Sequence, residues 1–184
     1  MTESSERPQP PVVSDSVEIT KSRNRLLVMA CSAAKKKAAG LLPAIVRYDG
    51  PAFHVLRKYL AHTTDAPTVL ILSAKYGMLD ADHPIPDYDC RITAEAAEAI
   101  RPDVLRDFGE HLRHQRYREV AFCVGHDYQK AVEGYEALIT SGTTVAFIPG
   151  GQGTRLRNLR TWLRRDHQPT LHEERGDSCP TSLS

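Results

Sequence analysis

Residues 69–89 read VLILSAKYGMLDADHPIPDYD, and this stretch indicates the fold class of the chain. Its first four residues form an uninterrupted apolar run, which is typical of a strand covered on both faces of a parallel sheet. A turn of small and polar residues follows at once, and Pro84 and Pro86 then favour extended or turn backbone. The stretch therefore predicts a strand over residues 69–72 that ends in a long irregular connection.

The irregular connection has the composition of a binding loop. Polar side chains follow the strand directly, and tyrosine and aspartate side chains occur together beyond the prolines. Long connections without secondary structure are uncommon in compact domains unless they bind a ligand. An ordered surface loop is the alternative, and the residues of the loop alone leave both interpretations open.

Three further apolar runs predict strands at residues 25–31, 120–124 and 145–148. Segments with apolar residues at helical spacing lie between and after these runs. Four strands that alternate with four helices predict an α/β fold, a single Rossmann-like domain. Its sheet should be open and mostly parallel, with about four or five strands flanked by helices and the first strand at its centre.

Local signals predict where two of the helices begin. Thr93 is a suitable N-cap, although Pro102 could shift the start of that helix to near Arg101. Asp127 is expected to cap the following helix, whose apolar residues continue as far as Ile139.

Composition sets the domain boundaries. Residues 1–24 and 167–184 are rich in serine, proline and charged residues and poor in apolar ones, so we expect disordered tails there. Residues 25–166 would form the α/β domain. Nothing in the sequence indicates an oligomeric state.

Charge and hydropathy exclude several classes of protein. The formal net charge is +1, so any binding to nucleic acid must come from a local patch. No apolar run approaches the roughly 18 residues of a membrane helix, and the N-terminus lacks the apolar core of a signal peptide. The four cysteines are widely separated, which is typical of a reducing compartment. We expect a cytoplasmic protein without a membrane partner.

No metal or other cofactor is expected. His111 and His114 lie about one helical turn apart, but no third ligand is evident near them. A solvated helix face is the simpler explanation of the pair.

Each predicted strand ends in a polar or glycine-rich turn. The carboxyl ends of parallel strands lie at one edge of a sheet, so these turns should converge although they are far apart in sequence. Ligands bind at this edge in open α/β sheets, because helix N-termini also point there. We therefore expect one shared site, formed by turns at residues 31–32, 73–75, 125–127 and 150–153.

Charged side chains near these turns are candidates for chemistry. Lys35 and Lys75 are placed to hold an anion or, with a pKa depressed by burial, to act as a nucleophile or base. Asp87 and Asp89 are closely spaced carboxylates that could handle protons when a base departs from a sugar. Aspartates beside prolines are also ordinary turn formers, and that alternative stays open.

The segment PGGQG at residues 149–153 precedes the last helix, so its backbone N–H groups and Arg155 are suited to a phosphate or carboxylate. A turn that needs the positive φ of glycine is the alternative. A row of arginines on the same helix would neutralise nucleic-acid phosphates, unless it is an ordinary exposed face. The row consists of Arg155, Arg157, Arg160, Arg164 and Arg165.

Five motifs occur in order along the chain. They are C-S-x-x-K at 31–35, Y-x-G-x-x-F at 48–53, L-S-A-K-Y-G-M-L at 72–79, I-P-D-Y-D at 85–89 and G-x-G-x-R-L at 151–156, accompanied by Arg57, Gly125 and Tyr128. Together they resemble a bacterial and phage family of unknown function, which in turn looks like a distant relative of the peroxide stress protein YaaA. The resemblance covers roughly residues 26–165.

The C-S-x-x-K turn and the P-x-Y-D element are also remotely similar to a domain of archaeosine synthase, which modifies a tRNA base. This likeness implies a nucleobase or nucleic-acid ligand, and the likeness to YaaA implies DNA binding and oxidative stress. Neither implies a particular reaction, because family likeness does not determine chemistry.

These observations predict a hydrolase or transferase that acts on a nucleobase, nucleoside, nucleotide or nucleic acid, at a base–sugar or base–substituent bond. The expected catalytic residues are Lys75, Asp87 and Asp89. The expected substrate-binding residues are Cys31, Ser32, Lys35, Tyr48, Ser73, Tyr76, Gly77, Tyr88, Gly125, Gly151, Gly153 and Arg155. The alternatives are a non-catalytic DNA-binding or oxidative-stress protein and a small-molecule carrier.

Overall fold

The computed structural model describes residues 25–165. The strands in this range are β1 (Arg25–Ala30), β2 (Leu42–Pro43), β3 (Thr68–Ser73), β4 (Gly77–Asp80), β5 (Pro84–Ile85), β6 (Glu119–Cys123) and β7 (Thr144–Phe147). The helices are α1 (Ala44–Arg47), α2 (Pro51–Leu60), α3 (Ala94–His114), α4 (His126–Val132) and α5 (Gln152–Arg164), with a 3-10 helix at Tyr135–Leu138. The predicted tails, residues 1–24 and 167–184, lie outside the described residues.

A five-stranded sheet in the order β4-β3-β1-β6-β7 organises the domain. β1 pairs in parallel with β3 and β6, and β6 pairs in parallel with β7. β4 is antiparallel to β3, and β2 and β5 form a separate antiparallel pair. The predicted α/β fold, with a mostly parallel sheet of about five strands and a central first strand, is confirmed.

The apolar runs form strands because helices cover both faces of the sheet. In β1, Leu27 and Met29 pack into the layer that contains α2 and α5. Leu26 and Val28 pack into the opposite layer, with α3 and α4. Successive side chains of a strand point to opposite faces, so an uninterrupted apolar run is required here.

The predicted irregular connection after residue 72 is wrong at its start. The chain reverses at Gly77, whose φ is 69°, and β4 then pairs with β3 through Leu72 and Met78. Glycine adopts positive φ at no steric cost, so the tight turn forms and Leu79 becomes buried. The sequence analysis assigned Gly77 to substrate binding, and the structure shows its role in this turn.

The predicted start of α3 is confirmed, whereas α4 differs from its predicted bounds. Thr93 caps α3 as predicted, because its Oγ1 accepts a hydrogen bond from Ala96 N at 3.2 Å, and Pro102 lies inside the helix rather than at its start. α4 is shorter than predicted, since Gly134 has a φ of 94° and interrupts it before the 3-10 helix. Gly125 occupies the N-cap position of α4, so the predicted cap Asp127 lies in the first turn instead.

A buried arginine, Arg25, links the amino ends of β1 and β6. The Arg25 guanidinium lies 3.8 Å from the centre of the Trp162 ring, and its Nε is 3.3 Å from Glu119 Oε2. Trp162 Nε1 donates to Glu119 Oε1 at 2.7 Å. These contacts fasten α5 to β1 and β6 at the edge of the sheet opposite the predicted site.

No helix among residues 25–165 is long and apolar enough to cross a membrane.

Candidate functional site

The chain changes direction across the sheet between β1 and β6. From β1 it moves to β3 on one side, and it later returns to place β6 on the other side of β1. Loops that leave two such neighbouring strands diverge, so a crevice opens beyond their carboxyl ends. A cavity of about 320 Å³ lies at this point, and we call it the switch-point cavity. Its lining comprises Ala30–Ala33, Gly50–Phe53, Cys123, Gly125, Asp127, Tyr128, Gln152, Arg155, Leu156 and Leu159.

Ser32 joins the turn after β1 to the N-terminus of α2. Its Oγ accepts a hydrogen bond from Gly50 N at 3.1 Å and donates to Ala34 O at 2.6 Å. A Cβ at position 50 would lie 2.7 Å from the Cβ of Ser32, closer than real contacts allow. The serine of C-S-x-x-K and the glycine of Y-x-G-x-x-F are therefore packing partners that shape the cavity wall.

Arg47 holds the loop that follows this turn. Its side chain is completely buried, and its guanidinium donates to the carbonyls of Lys36, Ala38 and Gly40 at 2.6, 2.9 and 2.5 Å. Sequence analysis missed this residue. A single arginine within the otherwise apolar segment AIVRY was the available signal, because a buried cation needs several acceptors.

Arg57 orders the next segment of the wall. Its Nη1 donates to the carbonyls of Ile45 and Tyr48 at 2.9 and 2.7 Å, and its Nη2 contacts Asp49 Oδ1 at 2.7 Å. Lys35 forms an isolated antiparallel bridge with Tyr48. The first two motifs of the sequence therefore fold as one paired unit.

Cys31 ends the central strand and lines the switch-point cavity. Its Sγ lies 2.8 Å from the hydroxyl oxygen of Tyr128 in α4. Burial, together with the neighbouring Cys31, raises the pKa of Tyr128 above its usual range, so this phenol stays protonated. The contact therefore places a half-buried thiol beside a neutral hydroxyl.

A second group of polar side chains adjoins Cys31, and we call it the hydroxyl cluster: Tyr48, Ser73 and Tyr88. The Tyr48 hydroxyl lies 2.5 Å from that of Tyr88 and donates to Ser73 Oγ at 3.1 Å, and Ser73 Oγ lies 2.9 Å from the Tyr88 hydroxyl. Burial raises the pKa of Tyr88 to about 12 and raises that of Tyr48 further. The three hydroxyls are neutral at physiological pH.

Two lysines lie over the ring of Tyr88. Lys35 Nζ is 4.4 Å and Lys75 Nζ is 5.3 Å from its centre, distances at which a cation is attracted to an aromatic face. Neither lysine has a carboxylate partner within residues 25–165. Tyr76 packs edge-on against Tyr88, with ring centres 5.1 Å apart. No carboxylate of the described range therefore balances the two positive charges on this side of the site.

The glycines before α5 mainly allow the chain to turn into the helix. Gly150 has a φ of 106°, and Gly151 is the N-cap of the helix. Gly151 and Gly153 are exposed and do not line the cavity, whereas Gln152 and Arg155 do.

Arg155 places a basic side chain at the cavity. Its Nε is buried and has no hydrogen-bond partner among the described residues. Burial raises the pKa of the Cys123 thiol to about 11, and the charge of Arg155 opposes that shift. Among residues 25–165, Arg155 is the one lysine or arginine that lines the cavity.

The predicted carboxylates lie apart from the cavity. Asp87 Oδ2 contacts Lys37 Nζ at 3.1 Å, and this lysine lowers the pKa of the exposed Asp87 carboxyl. Asp89 is exposed on the same loop. Asp127, predicted to lie in one of the converging turns but named individually only as a cap, lines the cavity. Its place in the strand-end turn GHD was the signal that could have identified it.

The predicted site residues thus fall into three groups. Cys31, Ser32, Gly125 and Arg155 line the switch-point cavity. Lys35, Tyr48, Ser73, Lys75, Tyr76 and Tyr88 form or surround the hydroxyl cluster. Gly77, Asp87, Asp89, Gly151 and Gly153 belong to neither group.

Among residues 25–165, no three histidine, cysteine, aspartate or glutamate side chains are grouped so that they could hold a metal ion.

Comparisons with known proteins identify a family but no activity. The model of a family of unknown function, DUF6884, matches residues 26–161. Comparison with curated proteins gives no match. The crystal structure of AF0587, a protein of unknown function, is similar with a TM-score of 0.44 and 14% sequence identity over 76% of this chain and 44% of that chain. This chain therefore spans less than half the length of that protein, and the likeness carries no argument about function.

Proposed function

The chain belongs to the family of unknown function DUF6884, and we propose that it binds a nucleobase or nucleoside in the switch-point cavity and acts on it there as a hydrolase or transferase. One observation carries the proposal: a single cavity is lined by Cys31 at the end of β1, by Asp127 and Tyr128 of α4, and by Arg155 of α5. A thiol, a carboxylate, a phenol and a guanidinium in one crevice make up a reactive and selective site.

The size and lining of the cavity suit a nucleoside. Its volume of about 320 Å³ accepts a base with its sugar and little more. Phe53 and Tyr128 supply aromatic surface, and Leu156 and Leu159 supply apolar surface, which suits a flat heterocycle. Arg155 lines the cavity, and a guanidinium suits a ring carbonyl or an anionic group of the ligand.

Asp127 supplies the proton chemistry of the proposed reaction. When a base–sugar bond breaks, the electron pair leaves with the base. Asp127 removes a proton from the water or other acceptor that adds to the sugar, and passes this proton to the departing base. Asp127 is the carboxylate that lines the cavity, and Cys31 is a nucleophile at the same wall.

The earlier assignment of catalysis to Lys75, Asp87 and Asp89 stays a competing prediction. Lys75 belongs to the hydroxyl-cluster side of Cys31, from which it would bind the sugar or an attached phosphate. Substitution of each group separates the two assignments, because only one set should be essential for turnover.

A thermal-shift series with nucleobases, nucleosides and nucleotides tests binding on the wild-type protein, Arg155→Gln and Lys75→Ala. A ligand that binds only the native state raises the melting temperature. We expect one class of nucleoside to stabilise the wild type and to lose most of its effect in Arg155→Gln. Chromatography of the incubated ligand then shows whether the base is released or exchanged. Absence of any shift across the series would overturn the proposal.

A non-catalytic DNA-binding or oxidative-stress protein is the second candidate function. Exposed arginines on α5 favour it, namely Arg157, Arg160 and Arg164. Binding of duplex DNA without conversion of any nucleoside would support it, and conversion would exclude it. A carrier would bind the nucleoside unchanged. The distant likeness to YaaA and the cytoplasmic location remain predictions.

A further inference from the structure

A groove of about 950 Å³ runs between α2 and α5 on the face of the sheet opposite α3 and α4. Its apolar floor includes Val55, Tyr59 and Leu163. Its rim carries Lys58, Arg160 and Arg164, together with two histidines. No aspartate or glutamate of residues 25–165 lines it. The groove thus combines an apolar base with an edge that carries three basic side chains.

The basic residues of the rim lack carboxylate partners. Lys58, Arg160 and Arg164 form no ion pair with another described residue. On the opposite face, arginines of α3 are neutralised: Arg101 pairs with Glu133 at 2.9 Å, and Arg113 pairs with Glu110 at 3.6 Å. No carboxylate of residues 25–165 therefore balances the charges of Lys58, Arg160 and Arg164, and these charges attract a polyanion.

The groove adjoins the switch-point cavity. Pro51 lines both of them. The first turns of α2 and α5 border the cavity, and the later turns of the same two helices border the groove. A chain-like ligand lying in the groove can therefore reach the cavity with one end or with one extruded unit.

Resting on the proposed function, we propose that the substrate is a single-stranded nucleic acid whose backbone lies in the α2–α5 groove while one nucleotide enters the switch-point cavity. Rim cations neutralise its phosphates, and the apolar floor of the groove receives a flanking base. A base held in a duplex cannot enter a cavity of this size, so an unstacked nucleotide is required.

Fluorescence anisotropy with labelled ten-nucleotide DNA and RNA strands, and with the matching duplexes, tests this proposal on the full chain. The variant Lys58→Gln/Arg160→Gln/Arg164→Gln should bind the single strand at least about tenfold more weakly, with a shallower dependence on salt. The control Arg106→Gln/Arg113→Gln/Arg116→Gln, which removes three charges along and beyond α3, should bind as the wild type does. The single variant Arg160→Gln serves if the triple variant does not fold.

The outcomes separate this proposal from the proposed function. Weaker single-strand binding with an unchanged thermal shift by the nucleoside supports it. The proposal would be overturned if the groove variant and the control lost the same affinity for the single strand, or if the groove variant bound the single strand as the wild type does. Equal affinity of the wild type for the duplex and the single strand would also overturn it. These conclusions hold whether or not the nucleoside shifts the melting temperature. Absence of a nucleoside shift in the wild type would overturn the proposed function instead.

Discussion

The thiol of Cys31 lies 2.8 Å from the hydroxyl of Tyr128, although the two residues are 97 positions apart. The contact joins the end of β1 to α4, the helix that follows β6. It therefore ties together the two turns that diverge at the switch point, and both residues line the resulting cavity.

Thiol labelling should distinguish the cysteines of the domain. Cys31 is half-buried and lines the cavity, whereas burial raises the pKa of Cys123 to about 11, so almost no thiolate forms there at neutral pH. We expect iodoacetamide to modify Cys31 well before Cys123, as followed by peptide mass spectrometry. The nucleoside that stabilises the protein should slow labelling of Cys31 and leave Cys90 unaffected. Equal protection of both would place the ligand elsewhere.

Gly50→Ala should destabilise the protein by about 1–3 kcal/mol, since the new methyl group overlaps Ser32. Gly153→Ala is the matched control, because nothing lies within 4 Å of its added Cβ and its φ is not positive. Alanine there should stabilise α5 by up to about 1 kcal/mol through helix propensity. Urea denaturation measures both changes. A stability loss in Gly153→Ala would show that the segment has a constraint beyond the helix.

Arg47→Lys should lower the free energy of unfolding by about 3 kcal/mol or more. A single ammonium cannot replace the guanidinium contacts to three loop carbonyls, and the buried acceptors would lose their donors. The effect appears as a lower urea midpoint with an unchanged slope. Arg106→Lys, at an exposed position of α3, is the control and should change stability by less than about 0.5 kcal/mol. Similar effects in both variants would contradict the anchoring role.

Stability should fall as pH rises from about 10 to about 12. Burial raises the pKa of Tyr88 to about 12, against the ordinary value of about 10 in the unfolded chain. Below pH 10 the phenol is protonated in both states, whereas above it the unfolded state ionises first and is favoured. Denaturation followed by circular dichroism should show a smaller decrease for Tyr88→Phe than for the wild type. An identical decrease would contradict the assignment.

Asp127→Asn should abolish conversion of the nucleoside while shifting the melting temperature by only a few degrees. The carboxylate lines the cavity but is exposed, so it contributes little to packing. Asp87→Asn is the matched control, since that carboxylate contacts Lys37 outside the cavity. Product formation measured by chromatography decides between them. Loss of turnover in Asp87→Asn alone would show that the catalytic carboxylate lies on the loop of Asp87 and Asp89, as the sequence predicts.

Much of the architecture was predictable because it is encoded locally. Uninterrupted apolar runs identified the four parallel strands, and helical spacing identified the helices that cover them. Thr93 was recognisable as a cap because capping depends on neighbouring residues. The convergence of the strand-end turns followed from the parallel topology alone. Local signals also explain the errors. The apolar spacing predicted that α4 continues beyond Gly134, but the positive φ of this glycine interrupts the helix.

The sequence by itself therefore determined the sheet, its central strand and the edge at which polar turns gather. Only the tertiary structure decided which of those turns share a cavity, that Arg47 holds the loop after β1, and that Asp127 rather than Asp87 lines the crevice. The physical reason is the range of the interactions. Strand and helix formation depend on burial patterns over a few residues, whereas the contact between Cys31 and Tyr128 depends on the register of β1 and β6 and on how α4 packs.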